Sequence, residues 1–168
     1  MRIGLTGSHS TGKSSIARNF NNHIEEIARW VIAEKWHTDT LSKEELDDFE
    51  LVIMKKQIEA ENTMQDFISD RTVIDVLAYA TTMCRPSMTA RLKDMAEMHL
   101  KDNPYDLVFY IPIEFPLEKD WVRFEDDEYQ KIIDLQILKY LKRYKIPYIT
   151  LTGTLEERLK QIAWHIEV

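Results

Sequence analysis

Only four glycines occur in the 168 residues, and three of them, Gly4, Gly7 and Gly12, fall within the first twelve. Glycine reaches backbone conformations closed to other residues, so this crowding marks a tight turn or a close approach of bare backbone to a ligand. Gly7 and Gly12 bracket four residues and are followed at once by Lys13 and Ser14. Before them, Ile3 to Leu5 reads as a short apolar strand. After them, Lys13 to about Asn21 reads as a helix, with Ile16, Ala17 and Phe20 at helical spacing.

A strand, the spacing Gly7-x-x-x-x-Gly12-Lys13-Ser14 and a helix start together make the phosphate-loop (P-loop) pattern. From Gly7 through Ser8, His9, Ser10, Thr11, Gly12, Lys13, Ser14 and Ser15, successive backbone N–H groups are expected to face one anion. The positive end of the helix points at the same spot. Lys13 would reach the β- and γ-phosphates of ATP, and the Ser14 hydroxyl would bind Mg²⁺. His9 occupies a position the pattern leaves free and is given no chemistry of its own.

Along the rest of the chain, strands are expected around His23 to Glu26, at Asp66 to Ser69, at Leu107 to Ile111 and at Tyr148 to Leu151. Ser42 with Glu45 has the form of a capping box and opens a long helix carrying Leu46, Phe49, Val52 and Ile53 on one face. Further helices are expected over Val73 to Met83, from about Ser87 to Leu100 after an interruption at Pro86, and over Glu128 to Tyr144. The last of these carries a stripe of Tyr129, Ile132, Ile133, Ile137, Tyr140, Leu141 and Tyr144. A final helix starts at Thr154 as its cap. Short apolar strands alternating with helices predict an α/β fold, a three-layer α/β/α sandwich around a parallel sheet, as one domain over residues 1–168.

Composition removes other classes. The chain is 44% hydrophobic and 30% charged, enough for a real core, which excludes disorder, collagen and coiled coil. No apolar run approaches the ~20 residues a membrane helix needs. The chain enters a strand at Ile3, so no leader segment is expected, and the single Cys84 cannot form an internal disulfide. Both fit a cytoplasmic protein. A net charge of -7 counts against a protein that coats nucleic acid.

A phosphate loop names a donor and leaves the acceptor open, so the other polar groups matter. Asp70 and Arg71 sit at the carboxyl end of a predicted strand, where α/β sheets place their ligands. Asp70 there could hold a metal-bound water or take a proton from an attacking hydroxyl, and Arg71 could clamp the acceptor. Glu26 follows the second predicted strand and is a second candidate base; the residues leave Glu26 and Asp70 both open. Arg123, in the charged stretch Glu118 to Glu128, is a candidate lid arginine that closes on the phosphates. Arg85 and Arg91 are weaker lid candidates. Gly153 and Thr154 could pass beneath an adenine ring, and Trp30 and Trp36 could line either an acceptor pocket or the core. The histidines show no metal-ligand spacing.

These elements together resemble a known family. They are the phosphate loop, Glu26-x-Ala28-Arg29, Asp70-Arg71-Thr72 with Asp75 and Leu77-Ala78-Tyr79, Asp120-x-x-Arg123, and Thr152-Gly153-Thr154 with Glu157-Arg158. The set is similar to AAA-domain, NadR-like ATPases and kinases, related to nicotinamide riboside kinases and the wider nucleoside and nucleotide kinases, over Met1 to about Ile162. The resemblance implies ATP as donor and Mg²⁺ as cofactor, with phosphates and metal on Lys13 and Ser14. It further implies Asp70 as metal ligand or base, Arg71 on the acceptor and Arg123 as lid. Trp121 stands where the family usually has glycine.

The leading expectation is a kinase acting on a nucleoside- or nucleotide-like small molecule. The alternatives are a kinase for a hydroxyl on a polynucleotide or modified DNA base, and a nucleotide-switch ATPase acting on a protein partner. The acceptor's identity and the oligomeric state are not written in the sequence.

Overall fold

The computed structural model describes residues 1–35, 41–115 and 127–167. Five strands, β1 (Arg2–Thr6), β2 (His23–Ile24), β3 (Phe67–Asp70), β4 (Leu107–Tyr110) and β5 (Ile149–Thr150), form one sheet. Their order is β2-β3-β1-β4-β5, and every pairing is parallel. The helices are α1 (Lys13–Ala17), α2 (Ile27–Lys35), α3 (Lys43–Thr63), α4 (Val73–Met83), α5 (Pro86–Asp102), α6 (Asp127–Arg143) and α7 (Leu155–Glu167).

Alternation along the strands builds the three layers. In β4, Val108 and Tyr110 join the core formed with α3, α4, α5 and α6, while Phe109 joins the opposite core with Ile16 of α1 and Ile162 of α7. Ile3 and Leu5 of β1 also face the α1 and α7 side. The central strands β1, β3 and β4 are thus buried on both faces, while the edge strand β5 is partly exposed. The chain steps from β1 to one side for β2 and β3, then to the other for β4 and β5. The carboxyl end of β1 is therefore the switch point, where such sheets leave a crevice.

Several expected boundaries move. The first helix stops at Ala17 rather than near Asn21, because Asn19 N–H and Phe20 N–H bond the carbonyls three residues back, a tight turn that ends an α-helix. The expected interruption falls at Cys84 and Arg85, and Pro86 itself occupies the first turn of α5, where its missing N–H costs nothing. Helix α2 was not expected as an element. Ile132, assigned to the apolar stripe of α6, is 45% exposed, so the stripe runs through Ile133, Ile137, Tyr140 and Leu141. The capping box at Ser42 forms as expected, and Thr72 with Asp75 makes a second one.

Candidate active site

Gly12 has φ +93, a left-handed backbone that side chains disfavour, and a Cβ on Gly7 would strike the Ile111 carbonyl. Both glycines are thus demanded by the loop that carries the chain from β1 into α1. Within it, Lys13 is buried, and its Nζ donates to the Ser8 carbonyl and to Thr11 Oγ1, the latter at 3.1 Å. The loop is braced from three elements. Gly7 N–H donates to Asp75 Oδ1 of α4 at 3.1 Å. Gln130 Nε2 of α6 donates to the His9 carbonyl at 2.8 Å. Arg158 Nη1 of α7 donates to the Thr11 carbonyl at 2.6 Å.

The parallel register sets Leu5 of β1 beside Asp70 of β3, so the end of β3 opens next to the phosphate loop. Ser14 Oγ donates to Asp70 Oδ2. The other carboxylate oxygen, Asp70 Oδ1, is buried with no hydrogen-bond partner among the described residues. A hydroxyl and a carboxylate converging with an oxygen to spare are hard donors of the kind Mg²⁺ takes, and Mg²⁺ commonly completes its shell with waters and substrate phosphates. The described residues hold no cluster of three or more metal-ligating side chains, so this pair fits a metal shared with a substrate rather than a protein-caged one.

Arg71 follows with φ 104. Its Nε donates to Glu26 Oε1 at 2.6 Å, and Arg29 Nε donates to Glu26 Oε2 at 2.8 Å. Glu26 is therefore clamped between two arginines. The Arg71 guanidinium lies 5.0 Å from the centre of the Tyr79 ring, and burial pushes the Tyr79 hydroxyl up to about 12 against the pull of Arg71. His9 is not in the cleft: it packs with Tyr79 and Tyr129, its Nδ1 3.0 Å from Tyr79 Oη.

One cleft of about 480 Å³ joins these parts. Phe115, Gly153, Thr154, Leu155 and Arg158 line one end, Ser10 to Ser15 the middle, and Arg18, Glu26, Arg29, Asp70 and Arg71 the other. Gly7, Ser8 and His9, expected among the nucleotide-contacting residues, are not in its wall. Arg85 is tied to Asp47 through 2.6 and 2.9 Å hydrogen bonds and holds the start of α5, so it is no lid. Arg123, like Asp120 and Trp36, lies outside the described residues.

Arg158 is the residue that sequence reasoning undervalued. It is buried, and besides holding Thr11 it donates to Glu114 at 2.6 Å and lies 5.5 Å from the Phe115 ring centre. Glu114 in turn accepts from Gly153 N–H at 3.0 Å. Its sequence signals were its place one turn inside the last helix and the Glu157-Arg158 pair in the family resemblance, neither of which gave it a role.

The sequence family described as AAA domain matches residues 2–158. No curated protein sequence matches the chain. Among solved structures, NadR protein in complex with NAD and AMP-PNP superposes with a TM-score of 0.75 at 19% identity, covering 98% of this chain. The chain spans only 48% of that protein. Deoxyadenosine kinase from M. mycoides superposes with a TM-score of 0.68 at 14% identity, covering 99% of this chain and 98% of the kinase. Thymidylate kinase from Candida albicans gives 0.67 at 18%, covering 98% and 90%. At these identities the likeness establishes the fold, that of the phosphate-loop NTPases.

Proposed function

The chain belongs to the AAA-domain family, and from that premise we propose that it is a kinase moving the γ-phosphoryl of ATP to a hydroxyl or phosphate of a nucleoside- or nucleotide-like small molecule. The observation that carries the reading is the cleft itself. It has one end lined by Phe115, Gly153 and Leu155, a phosphate loop in the middle and, beyond the loop, a wall of two carboxylates and three arginines. A switch ATPase needs only water past the γ-phosphate; a charged, structured far end suits an acceptor.

Adenine would lie by Gly153 and Phe115, and the triphosphate on the N–H groups of Ser10 to Ser15 with Lys13 Nζ turned toward it. Ser14 and Asp70 would hold Mg²⁺, which when bound neutralises phosphate charge. With Asp70 engaged there, Glu26 is the carboxylate left for the acceptor proton. The acceptor oxygen forms the new O–P bond, the β–γ bridging P–O bond breaks, ADP departs, and the acceptor's proton passes to Glu26. Arg71, held by Glu26 and Tyr79, faces the acceptor. Positioning and charge neutralisation supply most of the catalysis in such transfers. Cys84 is buried, and no described helix is long and apolar enough to cross a membrane; with the lone cysteine we place the protein in the cytoplasm.

The test is acceptor-dependent transfer from labelled ATP with Mg²⁺, offered nucleosides, nucleoside monophosphates and nicotinamide riboside. A labelled acceptor is expected, and Lys13→Ala should reduce its formation roughly 10²-fold or more while leaving the fold intact. ATP hydrolysis with no labelled acceptor would overturn the kinase reading.

A further inference from the structure

Past the phosphate loop the cleft opens into a small recess lined by Arg18, His23, Arg29 and Trp30 together with the carboxylates Glu25, Glu26 and Asp70, and by Ser14 and Ala17. No residue from Gly7 to Lys13 lines it, so it lies on the acceptor side of the phosphates. Among the side chains with no part in the reaction drawn above are Arg18 and Trp30.

Arg18 stands one helical turn beyond Ser14, its N–H bonded to the Ser14 carbonyl at 3.2 Å, and so shares the face that looks into the cleft. Its side chain is exposed and has no hydrogen bond or ion pair among the described residues. The carboxylates nearby are already engaged. Glu26 serves Arg29 and Arg71. Glu25 serves Trp30 and lies 3.8 Å from His23. Asp70 serves Ser14. The guanidinium of Arg18 thus has no ion-pair partner among the described residues, and Arg29, 42% exposed, lines the same recess. Planar guanidinium forks match phosphate oxygens.

Trp30 is 59% exposed, yet its ring is tethered, because Nε1 donates to Glu25 Oε2 at 2.9 Å. An exposed indole held still at the rim of a recess is what a stacking platform for a planar base requires.

Resting on the kinase reading above, we infer that the acceptor is a nucleotide rather than a free nucleoside. Its phosphate sits between Arg18 and Arg29, its base lies on Trp30, and its reacting group points to Glu26 and Asp70. The same chemistry is presented by a mononucleotide and by a nucleotide within a single strand.

The test uses the whole chain with its donor site filled by AMP-PNP and Mg²⁺. Tryptophan fluorescence is titrated with the four deoxynucleosides, their 5′-monophosphates and a hydroxyl-ended single-stranded oligonucleotide. At least one phosphate-bearing probe should bind tenfold or more tightly than its nucleoside. Arg18→Gln should remove at least fivefold of that advantage, and Trp30→Phe should abolish most of the quenching. In transfer assays Arg18→Gln should raise the KM of the acceptor more than the KM of ATP. Tighter binding of the monophosphate identifies a free nucleotide; tighter binding of the oligonucleotide identifies a strand. Arg18 is exposed, so its variant keeps the fold. Nucleosides binding as well as phosphate-bearing probes, or Arg18→Gln leaving the preference intact, would overturn the inference. Transfer to nucleosides with no phosphate preference would sink it and spare the kinase; phosphate preference without any transfer would do the reverse.

Discussion

At the scale of single residues, the site divides labour between two carboxylates that look alike in sequence. Asp70 keeps one buried oxygen with no partner among the described residues beside the Ser14 hydroxyl, while both oxygens of Glu26 are taken by arginines. The two should therefore fail differently. Asp70→Asn is expected to raise the Mg²⁺ concentration needed for half-maximal transfer, with a smaller effect once Mg²⁺ is saturating. Glu26→Gln should lower kcat by roughly 10²-fold at every Mg²⁺ concentration, the usual weight of a proton acceptor. Identical Mg²⁺ titrations for the two variants would remove this division of roles. Asp70 and Arg71 were legible because they end a predicted strand. The engagement of Glu26 was not, because its partner Arg71 is 45 residues away.

At the scale of elements, the loop is held by its neighbours' ends as well as by its own contacts. The start of α4 is the clearest case. Asp75, fully buried, accepts from Thr72 N–H at 2.8 Å, from Thr72 Oγ1 at 2.8 Å and from Gly7 N–H at 3.1 Å. One carboxylate both caps a helix and fixes the first glycine of the phosphate loop. Asp75→Ala strands three buried donors and should cost about 3 kcal/mol or more. Urea unfolding measures it; a loss below about 1 kcal/mol would mean that water replaces the carboxylate. The helix itself was plain from its apolar run. That its cap reaches the loop was hidden, since a capping box has the same local pattern whether it faces solvent or a neighbour.

At the scale of the whole molecule, the layers bury charge as well as apolar surface. Glu50, on α3, is raised to about 8 by burial, with Arg71 pulling the other way. A carboxyl whose folded pKa is raised binds its proton more tightly in the native state. Its contribution is present in full below its ordinary 4.5 and is lost as pH climbs toward 8. Thermal stability should fall across that window, and Glu50→Gln should flatten the fall; an unchanged pH profile would show that Glu50 is not its source. Nearby, Glu61 accepts from Gln57 at 2.8 Å, His99 at 2.7 Å and Tyr105 at 2.7 Å, a fully buried group tying α3 to α5 and to the start of β4. Sequence by itself determined the phosphate loop, the strand–helix alternation and hence a covered parallel sheet, because glycine geometry and periods of 2 and 3.6 residues act within a few neighbours. Tertiary structure alone decided which carboxylate meets Ser14, that Arg158 holds Thr11 from 147 residues away, and that Trp30 stands in solvent while Arg18 faces a recess. Those outcomes depend on strand order and on how the helices close over the sheet, long-range packing that no local pattern encodes.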